Sequence, residues 1–184
     1  MAAHPADIIG FWRAAGPKRW FAEDEAFDAA IRLKFEATHH AAARGDYDGW
    51  IETADGALAL LILLDQFPRN LYRDSPHAYA TDPLARRVAA EAVARGHDRL
   101  ADPELRGFFY LPFEHSEDMA DQDRSVTLCE AQARETGDEG YLKWARLHRD
   151  IIARFGRFPH RNRALGRETT AEEQAFLDDG GFAG

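Results

Sequence analysis

Three stretches of the chain concentrate the residue types that hold anions and move protons. They are Asp65-Gln66-Phe67-Pro68-Arg69, then Phe109-Tyr110-Leu111-Pro112-Phe113-Glu114-His115-Ser116-Glu117-Asp118, then the segment from Arg154 to Arg167. The third carries Arg154, Arg157, Arg161, Arg163 and Arg167, with His160 and no acidic residue, inside a chain whose net charge is −9. Planar guanidinium groups form forked hydrogen bonds to carboxylate or phosphate, so Arg69, Arg157 and Arg161, with His160 as a further donor, are candidate anion ligands. Phe109, Tyr110 and Phe113 can wall an apolar groove, and Glu114 and His115 can exchange protons near neutral pH. One reading is a binding protein that takes a small anionic molecule or a peptide carboxylate into this Arg- and aromatic-lined groove. The alternative is a small enzyme, a hydrolase or lyase acting on an anionic substrate. There His115 or His148 is the general base, Glu114 or Asp65 orients it, and Arg157 or Arg161 stabilises charge.

Each of these residues also has a structural reading. The arginines can pair with the protein's own acids, among them Asp65, Glu114 and Glu117. Asp65 ends eight apolar residues, and a carboxylate there must be paired or reach water. The segment Phe109 to Asp118 can be a proline-broken junction packed by rings. His148 lies four residues after Trp144 and three and four before Ile151 and Ile152, at the edge of an apolar helix face. His115, His148 and His160, with Glu114 or Asp118, would suit a divalent metal if they converged. No H-E-x-x-H or other compact metal spacing supports this, and neither metal nor cofactor is expected. Phosphate-loop, dinucleotide and nucleophile-elbow motifs are absent. Cys129, the single cysteine, excludes an internal disulfide framework and is expected in the core.

The elements that must position these residues are helical throughout. With 184 residues, 45% hydrophobic and 11% aromatic, the chain can build a real core, and it reads as a single domain over 1–184 with a glycine-rich tail from about 179. Lys plus Arg number 23 against 32 Asp plus Glu, which argues against nucleic-acid binding. The longest apolar run, Ala57 to Leu64, falls short of the roughly 20 residues needed to cross a bilayer. Met1 to Asp7 lacks the positive start of a secretory signal, so a soluble, cytoplasmic protein without a membrane partner is expected.

Asp7 is read as the cap of a short helix that stops before Gly16-Pro17. A second helix covers about Asp24 to Arg44, with Phe27, Ile31 and Phe35 inward. A buried central helix, Ala57 to Gln66, should end at Pro68. Asp82-Pro83 is a cap and first-turn pair for Leu84 to Arg95, and a short helix near Pro103 to Leu111 is broken by Pro112. Ser116 caps a helix with Met119, Val126 and Cys129 inward. Asp138 starts another through Phe155, whose inner face is Trp144, Leu147, Ile151 and Phe155. Thr170 caps a last helix, Ala171 to Leu177, and Glu172, Glu173, Asp178 and Asp179 read as a solvated face. Short connections make these helices antiparallel neighbours, an all-α fold of helical hairpins.

The motifs Leu64-Asp65-Gln66-Phe67-Pro68-Arg69-Asn70, Phe109 to Asp118 and Arg157-Phe158-Pro159-His160-Arg161-Asn162, in that order, resemble the bacterial family called domain of unknown function 924. The likeness runs from Phe11-Trp12 through Trp20-Phe21 to Glu172, Glu173 and Phe176-Leu177. It implies a tetratricopeptide-repeat-like all-α fold and assigns no activity.

Overall fold

A computed structural model describes residues 3–182 of the chain. Eleven α-helices follow one another among them, joined by short 3-10 turns, and no strand occurs. They are α1 (Pro5–Ala15), α2 (Pro17–Trp20), α3 (Glu25–Ala43), α4 (Ala54–Leu61), α5 (Phe67–Leu71), α6 (Asp82–Ala94), α7 (Pro103–Arg106), α8 (Leu111–Glu114), α9 (Met119–Thr136), α10 (Gly140–Phe155) and α11 (Ala171–Asp178). None of the described helices is long and apolar enough to cross a membrane. By packing, the chain divides into two compact units. The first holds residues 1–73 and 77–112, and the second holds 74–76 and 113–184.

In the first unit, α1 packs on α4, and α3 and α6 pack on the continuous rod formed by α4, a π-turn and α5. Trp12 is fully buried at its centre and meets Trp20, Phe27, Phe67 and Phe108 at ring separations of 5.6 to 6.1 Å. Gly16, at φ +72°, turns the chain so that the Trp20 indole N–H donates to the Trp12 carbonyl at 2.6 Å. α1 begins at Pro5, a residue suited to a first helical position because the N–H it lacks would have no helical partner there. His4, not Asp7, is therefore the cap, and its ring accepts from the Ala6 N–H at 3.2 Å.

The central rod does not stop at Pro68. In a regular α-helix the Pro68 ring would strike the Leu64 carbonyl and could not donate to it. The chain instead widens into a π-turn over Ile62–Gln66, in which the Phe67 N–H reaches back to the Ile62 carbonyl. Side chains then satisfy the displaced carbonyls: His39 Nδ1 donates to Leu63 at 2.8 Å, the Thr81 hydroxyl to Leu64 at 2.6 Å, and Arg69 to Asp65. Helix geometry thus resumes through Pro68 to Leu71. Asp82 lies within α6 rather than capping it, because its carboxylate is taken by Arg69.

The second unit is built on the α9–α10 hairpin, closed by Gly137 in the left-handed region at φ +75°. Asp118 caps α9 by accepting from the Ala120 N–H at 2.7 Å, and Ser116 accepts from the Asp118 N–H one step earlier. The buried face of α9 is polar, with Gln122, Ser125, Cys129 and Gln132 in its interior. On α10 the buried stripe is Leu142, Ala145, His148, Ile151 and Ile152, which leaves Trp144 47% and Leu147 37% exposed. The expected stripe through Trp144 and Leu147 has the same helical spacing but the wrong phase. Ile151, Ile152 and Phe158 form the apolar nucleus, with Met119, Phe155, Phe176 and Phe182 packed around it. Pro112 occupies the second position of α8, where it is compatible with helix, instead of breaking one.

Candidate functional site

The site residues divide between the units. Asp65, Arg69, Phe109 and Tyr110 belong to the first, and Phe113, Glu114, His115, His148, Arg157, His160 and Arg161 to the second.

In the first unit the π-turn turns Asp65 inward, where it is 1% exposed. It accepts from the Gln66 amide at 2.6 Å and lies 3.3 Å from Arg69 Nη1. Arg69 also forks onto Asp82, with both contacts at 3.1 Å. Burial alone would depress the Arg69 guanidinium, but Asp65 and Asp82 outweigh it and hold its pKa above the ordinary value. Two carboxylates on one guanidinium form a lock between α5 and α6. Phe109 is fully buried, and Tyr110 is buried with its hydroxyl donating to Asp98 at 2.8 Å. Both rings are core residues of their unit.

In the second unit, the arginines of the basic segment take different partners. Arg157 forks onto Glu173 at 2.6 and 2.8 Å and donates to the Glu168 carbonyl. Glu173 also accepts from the Thr170 N–H at 2.8 Å, completing a capping box at the start of α11. The Arg157 hydrogen bonds, acting against desolvation and joined by Thr170, bring the Glu173 pKa down to about 2. Glu173 is therefore a buried hub, 2% exposed, and not part of a solvated acidic face. Arg167 forks onto Glu117 at 2.7 and 3.0 Å, and Glu117 accepts the Phe158 N–H at 2.8 Å. Burial would raise the Glu117 pKa, but Arg167 and the Phe158 N–H win and lower it. These pairs tie the loop after α10 to α11 and to the turn before α9.

Of the two partners weighed for Glu114, an arginine or a histidine, it stands beside the histidine His148. His148 Nδ1 donates to the Trp144 carbonyl at 2.9 Å and stands 3.2 Å from Glu114 Oε1, with both side chains buried. His115 lies beside His148 at a ring separation of 6.4 Å. Phe158 packs against both His148 and His160, at 5.4 and 5.6 Å. Arg161 stacks its guanidinium 4.4 Å over the Phe158 ring and donates to the His115 carbonyl at 2.9 Å. The second unit thus gathers His148, His160 and Arg161 around Phe158, with Glu114 and His115 beside His148, and His115 and His160 are half-buried. Phe113 is buried beneath the Arg124 guanidinium at 4.3 Å.

Residues outside the sequence-based set also belong here. Gln122 donates to the Glu114 and Ser116 carbonyls, both at 2.6 Å, and fixes the turn that carries Glu114 and His115. Phe182 lies on His148 and His160. Neither carries a local signal: Gln122 is one of several polar residues on α9, and Phe182 stands in a glycine-rich tail. Among the described residues no group of three or more His, Cys, Asp or Glu side chains has metal-holding geometry. A shallow depression of about 720 Å³ on the second unit follows the exposed face of α10, lined by Asp138, Lys143, Arg146 and Asp150 among others. Cys129 is buried, and burial together with the Glu114 charge pushes its thiol up to about 12.

An all-helical chain with these three motifs defines a family. Residues 8–181 match the family model described as bacterial protein of unknown function, DUF924, and the chain belongs to that family. It is similar to the solved structure of the protein of unknown function ATU0120 from Agrobacterium tumefaciens, with 53% sequence identity and a TM-score of 0.89, over 95% of this chain and 97% of that one. No functionally curated protein matches the chain.

Proposed function

We propose that the second unit binds a small anionic molecule, a carboxylate or a phosphate, at the cluster of His115, His148, His160 and Arg161. One observation carries this reading. The His148 and His160 rings and the Arg161 guanidinium meet on Phe158, His115 lies beside His148, and Glu114 stands at His148, while Glu117 and Glu173 bridge to Arg167 and Arg157. Imidazole and guanidinium N–H groups are donors suited to carboxylate and phosphate oxygens. Within the basic segment, Arg161 and His160 are the anion ligands, and Arg157 is a structural tie.

Calorimetric titration with phosphate and with acetate, at constant ionic strength, tests the proposal. Wild-type protein is expected to bind one anion saturably, and Arg161→Met and His160→Asn each to weaken it about tenfold, or about 1.4 kcal/mol. Absence of binding, or affinity unchanged in both folded variants, overturns it.

A hydrolase or lyase is the second reading, favoured by the Glu114–His148 pair. The Trp144 carbonyl and Glu114 hold the proton on Nδ1, which makes Nε2 the basic atom of neutral His148. Turnover of a panel of small anionic esters that is abolished in a folded His148→Asn variant supports it, and absence of turnover by the wild type rejects it.

A further inference from the structure

Phe182 lays its ring on the same cluster. Its centroid is 4.5 Å from that of His148 at 64°, 5.2 Å from His160 at 83° and 6.1 Å from Trp144 at 55°. Edge-to-face contacts of this kind favour one aromatic ring among others over an aliphatic group of equal size. On another side both imidazoles rest on Phe158, which is fully buried. His148, His160, Trp144 and Phe158 therefore form a cradle occupied by a ring that is itself only half-buried.

The backbone delivers that ring by a specific turn after α11. Gly180 adopts φ +80°, and the Gly181 N–H donates to the Phe176 carbonyl at 2.9 Å. A Cβ at Gly181 would stand 2.5 Å from that carbonyl oxygen, so the turn requires glycine there. The Phe182 ring is thus held by a turn against the cradle rather than by a helix of its own.

We propose that Phe182 occupies the place of a ligand's ring, and that the anion this site recognises is an aryl carboxylate. The ligand's ring replaces Phe182 in the cradle, and its carboxylate meets Arg161 and the imidazoles. The proposal rests on the anion-binding reading and deepens it by naming the ligand class. A tethered ring that competes for the site lowers the apparent affinity for any free ring, so its removal strengthens aryl ligands selectively.

The test compares 3-phenylpropionate with propionate on wild-type protein and on Phe182→Ala, by calorimetry. The expected result is that Phe182→Ala binds 3-phenylpropionate about tenfold more tightly than wild type does, while propionate affinity changes less than threefold. Equal binding of the two probes by both proteins overturns the aryl assignment and leaves the anion site standing. Failure of both probes, and of phosphate, to bind either protein removes the anion site as well. Should Phe182→Ala not fold, wild-type protein serves in an NMR experiment. Saturating 3-phenylpropionate is expected to erase the cross-relaxation between the Phe182 and His148 rings, and its persistence with ligand bound overturns the proposal.

Discussion

Replacing Arg69 with methionine isolates the lock at the π-turn. The change keeps most of the aliphatic stem and deletes the charge that Asp65 and Asp82 share. Those carboxylates keep 1% and 7% of their side-chain surface in water, so neither is well solvated once the guanidinium is gone. Removing one partner of a buried pair costs about 3–5 kcal/mol. Arg69 itself retains 22% exposure, which places the loss near the lower end of that range, about 3 kcal/mol. The bond from Arg69 to the Asp65 carbonyl adds roughly 1 kcal/mol. For a chain of this size each kcal/mol moves the midpoint by about 2–4 °C, so Arg69→Met should melt roughly 6–16 °C lower at pH 7, by calorimetry or circular dichroism. Arg69→Lys, which restores charge without the planar fork, should fall between the two. A loss below about 1 kcal/mol would refute the reasoning, since it would mean that water, and not Arg69, satisfies Asp65 and Asp82.

Acid should loosen the second unit through Glu173. Its folded pKa lies below its ordinary value of 4.5, so the stabilisation is fully present above pH 4.5 and fades as pH falls toward about 2. The melting difference between wild type and Glu173→Gln should shrink over that window, and a pH-independent difference would contradict the assignment. Thr170→Ala removes the other half of the capping box and should cost about 1 kcal/mol in chemical denaturation; a change within error would show that α11 does not depend on it. With its thiol pushed up to about 12, Cys129 should react with a disulfide reagent at pH 8 only as fast as the protein unfolds. Stoichiometric modification within seconds under native conditions would contradict its burial.

Local chemistry made much of the helix inventory readable. Thr170 announces the start of α11, and Gly137 and Gly156 stand where α9 and α10 end. Pro68 misleads because the bonds that carry the rod past it come from His39 and Thr81, distant in sequence and silent in any local pattern. On α10 the expected stripe Trp144, Leu147, Ile151 and Phe155 shares its spacing with the buried stripe Leu142, Ala145, His148, Ile151 and Ile152, and the two coincide at Ile151. Only packing selects the second stripe, and it thereby carries His148 inward. The candidate histidines and arginines were recognisable as chemistry, and Asp65, Glu114 and Glu117 were recognisable as acids able to pair with them, but which acid meets which base was not. Arg157 pairs with Glu173, a residue whose neighbours on α11 are exposed, and Glu114 pairs with His148. Ion pairs between distant segments are decided by tertiary geometry, which residue type and spacing leave open.

Long-range proton–nitrogen correlation of the imidazole rings during titration with phosphate tests the anion site most directly, because the eight histidines include their own controls. The rings of His115, His148 and His160 should shift together along one saturable curve, while those of His39, His40, His77 and His97 in the first unit stay in place. Shifts of equal size across all the histidines, or none at those three, would contradict the account.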